Sequence, residues 1–293
     1  MGYGLNSFKC LKLRILLVVS GVFLSSCSNL FSEKSTEGYY QLVWKDEFDC
    51  NHKLDENEWN YERGFRRNFE AQWYKSDNVN CYKGILQIEA NREVVDNPFY
   101  DATSDNWRKQ RKQAFYTSGS INTKGKHSWL YGRFEIRARI KTENGLWPAI
   151  WFLGDEGNWP KRGEIDLMEY YQGQILANAA WAQTASKKPR WDSVKTPMSE
   201  FNDLNWDEKF HLWRMDWDKD FIHMYLDGKL LNTVNLSKAV NPDGFKPKEP
   251  FQQPHYLLLN LAIGGKAGGD PSNTAFPTIY EIDYVRVYQK KKL

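Results

Sequence analysis

The chain has 293 residues, 41% hydrophobic and 26% charged, which excludes a disordered polymer and allows one large core or two modest domains. Its formal charge of +3 comes from 40 Lys and Arg against 37 Asp and Glu; residues 1–26 hold three of the basic residues and no acid, so the remainder balances at 37 against 37 and no electrostatic attraction to nucleic acid is expected. Aromatic residues are abundant (13 Trp, 16 Tyr and 16 Phe), enough to fill a sheet core or to line a cleft for flat, apolar-faced ligands such as sugars or bases.

At the N-terminus Lys9, Lys12 and Arg14 precede the apolar run ILLVVSGVFL, and LSSC follows, ending at Cys27. A basic region, a short apolar run and small residues read as an export signal over 1–26. The run is about half the length that spans a bilayer. The placement of Cys27 resembles a bacterial lipobox, in which this cysteine is lipidated after cleavage. Residues 27–40 then form a polar tether, and the protein is expected on the outer membrane or cell surface. An uncleaved anchor helix and a simple secreted protein are the alternatives.

The body, residues 41–291, reads as strands. QLVWKDEFD opens it. GILQIEANRE alternates, and in YGRFEIRARIK the residues Phe134, Ile136, Ala138 and Ile140 face one way while Glu135, Arg137 and Arg139 face the other. FHLWRMDWD, FIHMYLDGKLLNTVNL, HYLLLNLAIGG and EIDYVRVYQKK follow, with a hairpin at the LDG of 226–228. No stretch keeps a helical period, so the expected architecture is one all-β sandwich. Residues 92–113 read as a long polar loop whose RKQRK cluster is a solvated surface, and 182–209 as a second excursion. Cys50 and Cys81 either pair or remain two buried thiols. The five histidines show no metal-binding spacing, and His211 reads as structural or surface.

The segment GEIDLMEYYQG carries Glu164, Asp166 and Glu169 in a run that is otherwise a buried strand. Desolvating a carboxylate is costly. Side chains alternate along a strand, so Glu164 and Asp166 share a face and Glu169 falls on the other. A β-bulge around Leu167–Met168 returns Glu169 to the carboxylate face. Three acids in one row cannot all ionise freely, and one proton is held at a raised pKa. Glycoside hydrolysis needs this arrangement: one carboxylate to attack and one carboxylic acid to protonate the leaving oxygen.

The pattern E-x-D-x-x-E, in the bulged form GEIDLMEY, resembles family 16 of the glycoside hydrolases, the laminarinase and lichenase group. The likeness extends over residues 41–289 through WKDEFD, NVNCYKGILQIEA, YTSGSINTKGKHSWLYGRFEIRARIK, WPAIWFLG, FHLWRMDWDKDFIHMYLDG, LLNLAIGG and EIDYVRVYQ. It implies a β-jelly roll of two curved antiparallel sheets with an open substrate cleft on the concave one. It implies Glu164 as nucleophile, Glu169 as general acid/base and Asp166 as the charge that tunes them. The reaction implied is retaining endo-hydrolysis of β-1,3- or mixed-linkage β-1,3/1,4-glucan. An algal galactan of the agar, porphyran or carrageenan type is the alternative substrate. A carbohydrate-binding lipoprotein without activity and a transglycosylase are further alternatives.

Around the acids, Trp147, Trp151 and Trp159 are expected to stack on sugar rings. Glu70, Asn78 and Arg133 resemble family positions that reach substrate. Trp181 and Gln183 stand where many relatives carry a histidine beside the acid/base, and Asn260 is expected to bond a sugar or hold its strand. His127 and Trp129, in the GKHSW turn, are read as architecture that borders the cleft at most. Gly264–Gly265 reads as tight backbone geometry. No cofactor is required; a structural calcium on Glu47 and Asp283 is entertained because relatives carry one. The partner is a polysaccharide, with no nucleic acid, membrane contact only through the lipid, and a monomeric state.

Overall fold

A computed structural model describes residues 39–183 and 188–291. The expected signal segment, Cys27 and the tether up to residue 38 lie outside the described residues. Among the described residues the strands are, in chain order, β1 (Tyr40–Asp46), β2 (Asn60–Tyr61), β3 (Gln72–Tyr74), β4 (Val79–Tyr82), β5 (Ile85–Ala90), β6 (Val95–Asp96), β7 (Gln113–Ala114), β8 (Tyr116–Ser118), β9 (Ser120–Asn122), β10 (Gly132–Arg139), β11 (Leu146–Gly154), β12 (Glu164–Tyr171), β13 (Gln174–Ala182), β14 (Pro189–Pro197), β15 (His211–Trp217), β16 (Phe221–Leu226), β17 (Lys229–Asn235), β18 (His255–Ile263) and β19 (Thr278–Lys290). Helix is limited to single turns such as α1 (Trp107–Gln110) and α2 (Gly265–Gly268).

Two antiparallel sheets form the expected jelly-roll sandwich. One runs β17-β16-β15-β10-β19-β5-β4, with β1 added along β19; the other runs β14-β13-β12-β11-β18-β9-β2. Period-two patterning accounts for the first sheet. In β10, Phe134, Ile136 and Ala138 are buried while Arg133, Glu135 and Arg137 turn outward. The second sheet is apolar on much of both faces. All nine residues of β18 are buried: Leu257, Leu259, Leu261 and Ile263 enter the inter-sheet core, whereas Tyr256, Leu258 and Asn260 face the other way. Phe134 meets Phe152 edge-on across the layers at 5.1 Å between centroids. Each fully buried side chain of this kind contributes roughly 1.5–3 kcal/mol. The LDG hairpin forms with Asp227 and Gly228 at φ 48° and 81°, the left-handed pair a two-residue turn requires. Cys50 and Cys81 are joined as a disulfide, with Cα atoms 5.7 Å apart.

The inferred bulge is present. Trp151 pairs with Asp166 and Ile150 with Met168, which leaves Leu167 without a partner on β11. On β13, Asn178 pairs with Asp166 and Leu176 with Glu169, so three steps on β12 match two on its neighbour. Leu167 and Met168 consequently both enter the core. The phase of the strand changes there, and Glu169 joins Glu164 and Asp166 on the open face.

Two segment readings are corrected. Residues 189–197, read as part of an excursion, form β14 at the edge of the second sheet. The RKQRK cluster is not merely solvated. The Arg108 guanidinium donates to the carbonyl of Arg66, and Arg111 donates to the carbonyls of Phe69 at 2.8 Å and Glu70. These contacts fasten the loop of residues 66–70 beside the cleft. Gly265 packs against the same loop at φ 71°, where a Cβ would meet the Asn68 carbonyl at 2.9 Å and Glu70 Cα at 3.0 Å. Such an approach accepts only glycine.

Candidate active site

The outward face of the second sheet carries a cleft of about 920 Å³ that contains all three acids. Each glutamate is gripped by an indole. Trp159 Nε1 donates to Glu164 at 2.7 Å, and Trp147 Nε1 donates to Glu169 at 2.7 Å. Trp147 enters from the start of β11 and Trp159 from the loop between β11 and β12. Asp166 sits between the glutamates in the row and is 2% exposed. On the far side of Glu169, Asn178 Nδ2 donates to its carboxyl at 3.1 Å, and Ser193 Oγ donates to Asn178 Oδ1 at 2.5 Å.

Burial pushes Glu164 up to about 7, the charge of Glu169 adds to this, and the hydrogen bonds from Trp159 and Asp166 oppose it. Burial likewise pushes Glu169 to about 7 against the donors Trp147 and Asn178. Asp166 rises well above the carboxylate range, first through burial and then through the two glutamate charges. Asp166 also interacts with the carboxyl of Glu164 and the amide of Asn178, so the three acids and Asn178 form one polar row. Arg67 and Lys195 line the same cleft, and their charges work against the rise at Glu164 and Glu169 respectively.

The remaining expected residues divide. Trp151 forms the cleft floor, 8% exposed, with its Nε1 donating to Asn260 Oδ1 at 2.7 Å and the Arg67 guanidinium 5.0 Å over its ring. Asn260 in turn donates to Tyr74 Oη at 3.2 Å. Glu70 lines the cleft and accepts from Gln72 Nε2 at 2.8 Å.

Four expected positions, and both residues named in the GKHSW turn, do not reach the cleft. Asn78 is buried under β4 and β5, its amide donating to the Glu89 carbonyl at 2.8 Å and to Thr117 Oγ1 at 3.2 Å. Arg133 lies on β10 in the other sheet, turned outward and paired with Asp216 at 2.7 and 3.0 Å. Trp181 enters the inter-sheet core against Phe251, because it is an odd number of residues from Asn178 and so faces the opposite way. Gln183 lies past the end of β13, exposed, in the connection to β14. In the GKHSW turn, His127 pairs with Glu58 at 2.6 Å and Trp129 packs in the core; neither lines the cleft.

The two acids named for calcium each have a guanidinium partner in this structure. Glu47 is held in a two-pronged pair by Arg286 at 2.9 Å, and Asp283 is paired with Arg137. No group of three or more His, Cys, Asp and Glu able to hold a metal occurs among the described residues. His211 is structural: it is buried, with Nδ1 against Asp227 at 2.6 Å.

Reading the sequence missed Arg67, Tyr171, Asn178, Trp191, Ser193 and Lys195, all of which line the cleft. The signal for Asn178 was a single polar residue in the apolar strand ILANAAWA. Trp191, Ser193 and Lys195 sit on alternate positions of β14 and were hidden by reading it as a loop. Asn178→Ala is expected to lower kcat by about 10-fold or more, the worth of a hydrogen bond to a charged group. It should also move the alkaline limb of the pH–rate profile upward, since Asn178 holds the Glu169 pKa down. Ser193→Ala, which only frees the Asn178 amide, is expected to do the same to a smaller degree. An unmoved profile in both variants contradicts the role.

Relatives were found at the level of sequence and of structure. A Beta-glucanase of Rhodothermus marinus is 33% identical over 286 residues, covering 91% of this chain and 91% of the relative. The catalytic domain of an endo-1,3-beta-glucanase (laminarinase) of Thermotoga petrophila superposes with a TM-score of 0.71 at 32% identity, covering 87% of this chain and 100% of that one. A structure from work on endo-acting O-glycanases, with which human gut microbiota initiate mucin breakdown, superposes with a TM-score of 0.78 at 32% identity, covering 86% and 91%. Residues 65–286, which hold both sheets' central strands and all three acids, match the family described as Glycosyl hydrolases family 16. With the fold, the bulged acidic strand and the family match in agreement, the chain is a glycoside hydrolase and belongs to family 16.

Proposed function

We propose that this enzyme is a retaining endo-hydrolase of β-1,3-glucan or mixed β-1,3/1,4-glucan, with Glu164 as nucleophile and Glu169 as general acid and then base. The carrying observation is the pair of indole-held glutamates on one face of β12, flanking the buried Asp166. The bulge reduces their separation along the sheet to the span from Ala149 to Leu153 on β11. That is about 13 Å between Cα atoms, at roughly 3.3 Å per residue. The side chains must converge across the remainder, since attack by a carboxylate suits a separation of about 5 Å. The Glu169 charge raising the Glu164 pKa supports this convergence.

Glu164 attacks the anomeric carbon as Glu169 gives its proton to the departing oxygen. Water then enters, and Glu169 takes its proton as the glycosyl ester breaks. In this reading Asp166 keeps its own proton and donates its O–H as a hydrogen bond to ionised Glu164, so the nucleophile's charge is stabilised without a second anion beside it. A binding protein has no need of this pair.

A second substrate reading is an endo-acting cleavage within mucin-type or galactan chains. The O-glycanase-related structure superposes at 0.78, against 0.71 for the laminarinase, and the acid/base is served by Asn178 and Ser193 rather than a histidine. Digestion of laminarin, lichenan, agarose and released mucin O-glycans, with product sizing and NMR of the first anomer, separates the two. Oligosaccharides of β configuration from laminarin or lichenan are expected. Products from agarose or mucin glycans alone replace the substrate assignment, and an α first product overturns the retaining mechanism.

We also propose that the protein is an exported lipoprotein anchored at Cys27. The support is Lys12, Arg14, the apolar run and the small residues before Cys27, together with the Cys50–Cys81 disulfide, a bond that persists in oxidising compartments. Mass spectrometry of the mature N-terminal peptide is expected to find a lipid-modified Cys27; a free thiol within an uncleaved peptide contradicts it.

A further inference from the structure

Past the cleft floor, the open face of the second sheet continues onto β9 and β2 as a separate hollow of about 350 Å³. Its floor is Tyr256 and Leu258. These pair across the sheet with Leu153 and Trp151, which line the cleft, and all four pack as one apolar strip. Cleft and hollow are therefore one continuous surface. Its rim is basic, formed by Arg63, Arg66 and Lys124.

The acid in the hollow is already committed. Glu62 accepts from Arg67, from Arg66 Nε at 3.1 Å and from Ser120 Oγ at 2.7 Å. Burial works against its charge, yet the Arg67 guanidinium prevails and holds the carboxyl down at about 2. Glu62 thus neutralises Arg67, and Arg66 shares a carboxylate that is already balanced. Arg63 donates to Ser76 Oγ at 3.5 Å and also lines a neighbouring hollow with Glu56, Asp77 and Glu89, and the Lys124 ammonium lies 5.7 Å from the Tyr256 ring centroid. Neither has an acid partner among the described residues. The chain beyond residue 26 carries no net charge, so this local excess is a matter of placement and not of composition. An aromatic floor under a ring of cations suits a sugar face bearing an oxyanion, which guanidinium binds with short, charge-assisted hydrogen bonds.

We infer that this hollow is a distal subsite for an anionic substituent, a sulfate ester or a carboxylate, on a sugar residue of the chain held in the cleft. From β12 to β9 are three strand spacings, about 14 Å at ~4.8 Å each, so the charged sugar lies some residues from the cleaved bond. The inference rests on the proposed endo-hydrolase reading, because it needs a glycan chain lying across the sheet.

The test uses the mature protein. Wild type is first assayed for cleavage of laminarihexaose and of a desulfated keratan oligosaccharide, both neutral. Glu164→Ser is then titrated by calorimetry with the cleaved backbone in three forms: neutral, sulfated at C6, and oxidised to a carboxylate at C6. At low salt the anionic forms are expected to bind about 5- to 10-fold tighter, with most of the advantage gone at about 1 M salt, where the Debye length is about 3 Å. The sulfated and carboxylated arms tell which oxyanion is preferred. Arg63→Ala/Lys124→Ala in the same background should remove the advantage and leave neutral binding unchanged. Equal affinity for neutral and anionic forms, or an advantage that survives the double substitution, overturns the inference while the hydrolase reading stands. Cleavage of neither oligosaccharide, nor of laminarin, lichenan, agarose or released mucin O-glycans, overturns the endo-hydrolase reading itself, and the inference with it.

Discussion

Glu164→Ser is expected to be folded and inactive on every substrate, and Glu169→Ala to be inactive on natural glycans but partly active on aryl glycosides. The two lesions differ because the two carboxyls do different work. Glu164 forms the bond to the anomeric carbon, and serine at that depth has no charge to offer. Glu169 supplies a proton to a poor leaving group, worth about 10²–10⁴ in rate; an aryl oxide leaves without it, so the first step is spared. The second step then lacks a base. Azide needs none, and its addition to Glu169→Ala should restore turnover of the aryl glycoside and give the β-azide. For Glu164→Ser a loss at least as large is expected, and azide should not give the β product. The indoles keep the substitutions local: Trp159 and Trp147 lose one acceptor each at the open face, so folding is not at risk. A fully active Glu164→Ser, or an α-azide from Glu169→Ala, contradicts the assignment.

The same acids are expected to weaken the fold as pH rises. Glu164 and Glu169 stand at about 7 in the folded protein against 4.5 for an ordinary glutamate, and Asp166 is also raised. The folded state therefore holds protons that the unfolded chain has released. The stability these groups contribute is fully present below about pH 4.5 and lost as pH rises through about 7. Glu169→Gln and Asp166→Asn cannot ionise. Each should raise the unfolding temperature at pH 8 and leave it near wild type at pH 4. After allowance for the water that reaches the cleft, the gain is on the order of 1–2 kcal/mol, or roughly 2–6 °C for a domain of this size. Asp166→Asn keeps a donor toward Glu164 and should retain most of its activity at neutral pH, whereas Asp166→Ala loses the donor and with it about 10-fold or more in kcat. Thermal unfolding across pH 4–8 beside pH–rate profiles checks both statements. A wild-type midpoint that rises steadily to pH 8, or an Asp166→Asn as impaired as the alanine variant, refutes the neutral-donor role.

Sequence by itself determined the sandwich and the acidic row. Strand alternation is a local property, so Phe134, Ile136 and Ala138 declared their face without knowledge of any partner. The bulge was legible for the same reason. Three acids cannot share a side of a regular strand at that spacing, and only an extra residue at Leu167 restores them. Tryptophans in the run of the acidic strand were likewise placed near the acids, because chain neighbours seldom travel far. What the sequence did not carry was which strand lies beside which, and which face of a distant strand looks into the cleft. Arg133 and Trp181 sit on well-formed strands, yet one belongs to the opposite sheet and the other to the core. Asn178 reaches the site because β13 pairs with β12, and Ser193 and Trp191 because β14 pairs in turn with β13 at the edge. Arg67 reaches it only because Arg108 and Arg111 pin its loop from a segment about forty residues away. The pKa of Asp166 is a property of the same kind: burial and the two glutamate charges raise it well above that of a carboxyl on an exposed strand face, and burial is conferred by the whole fold.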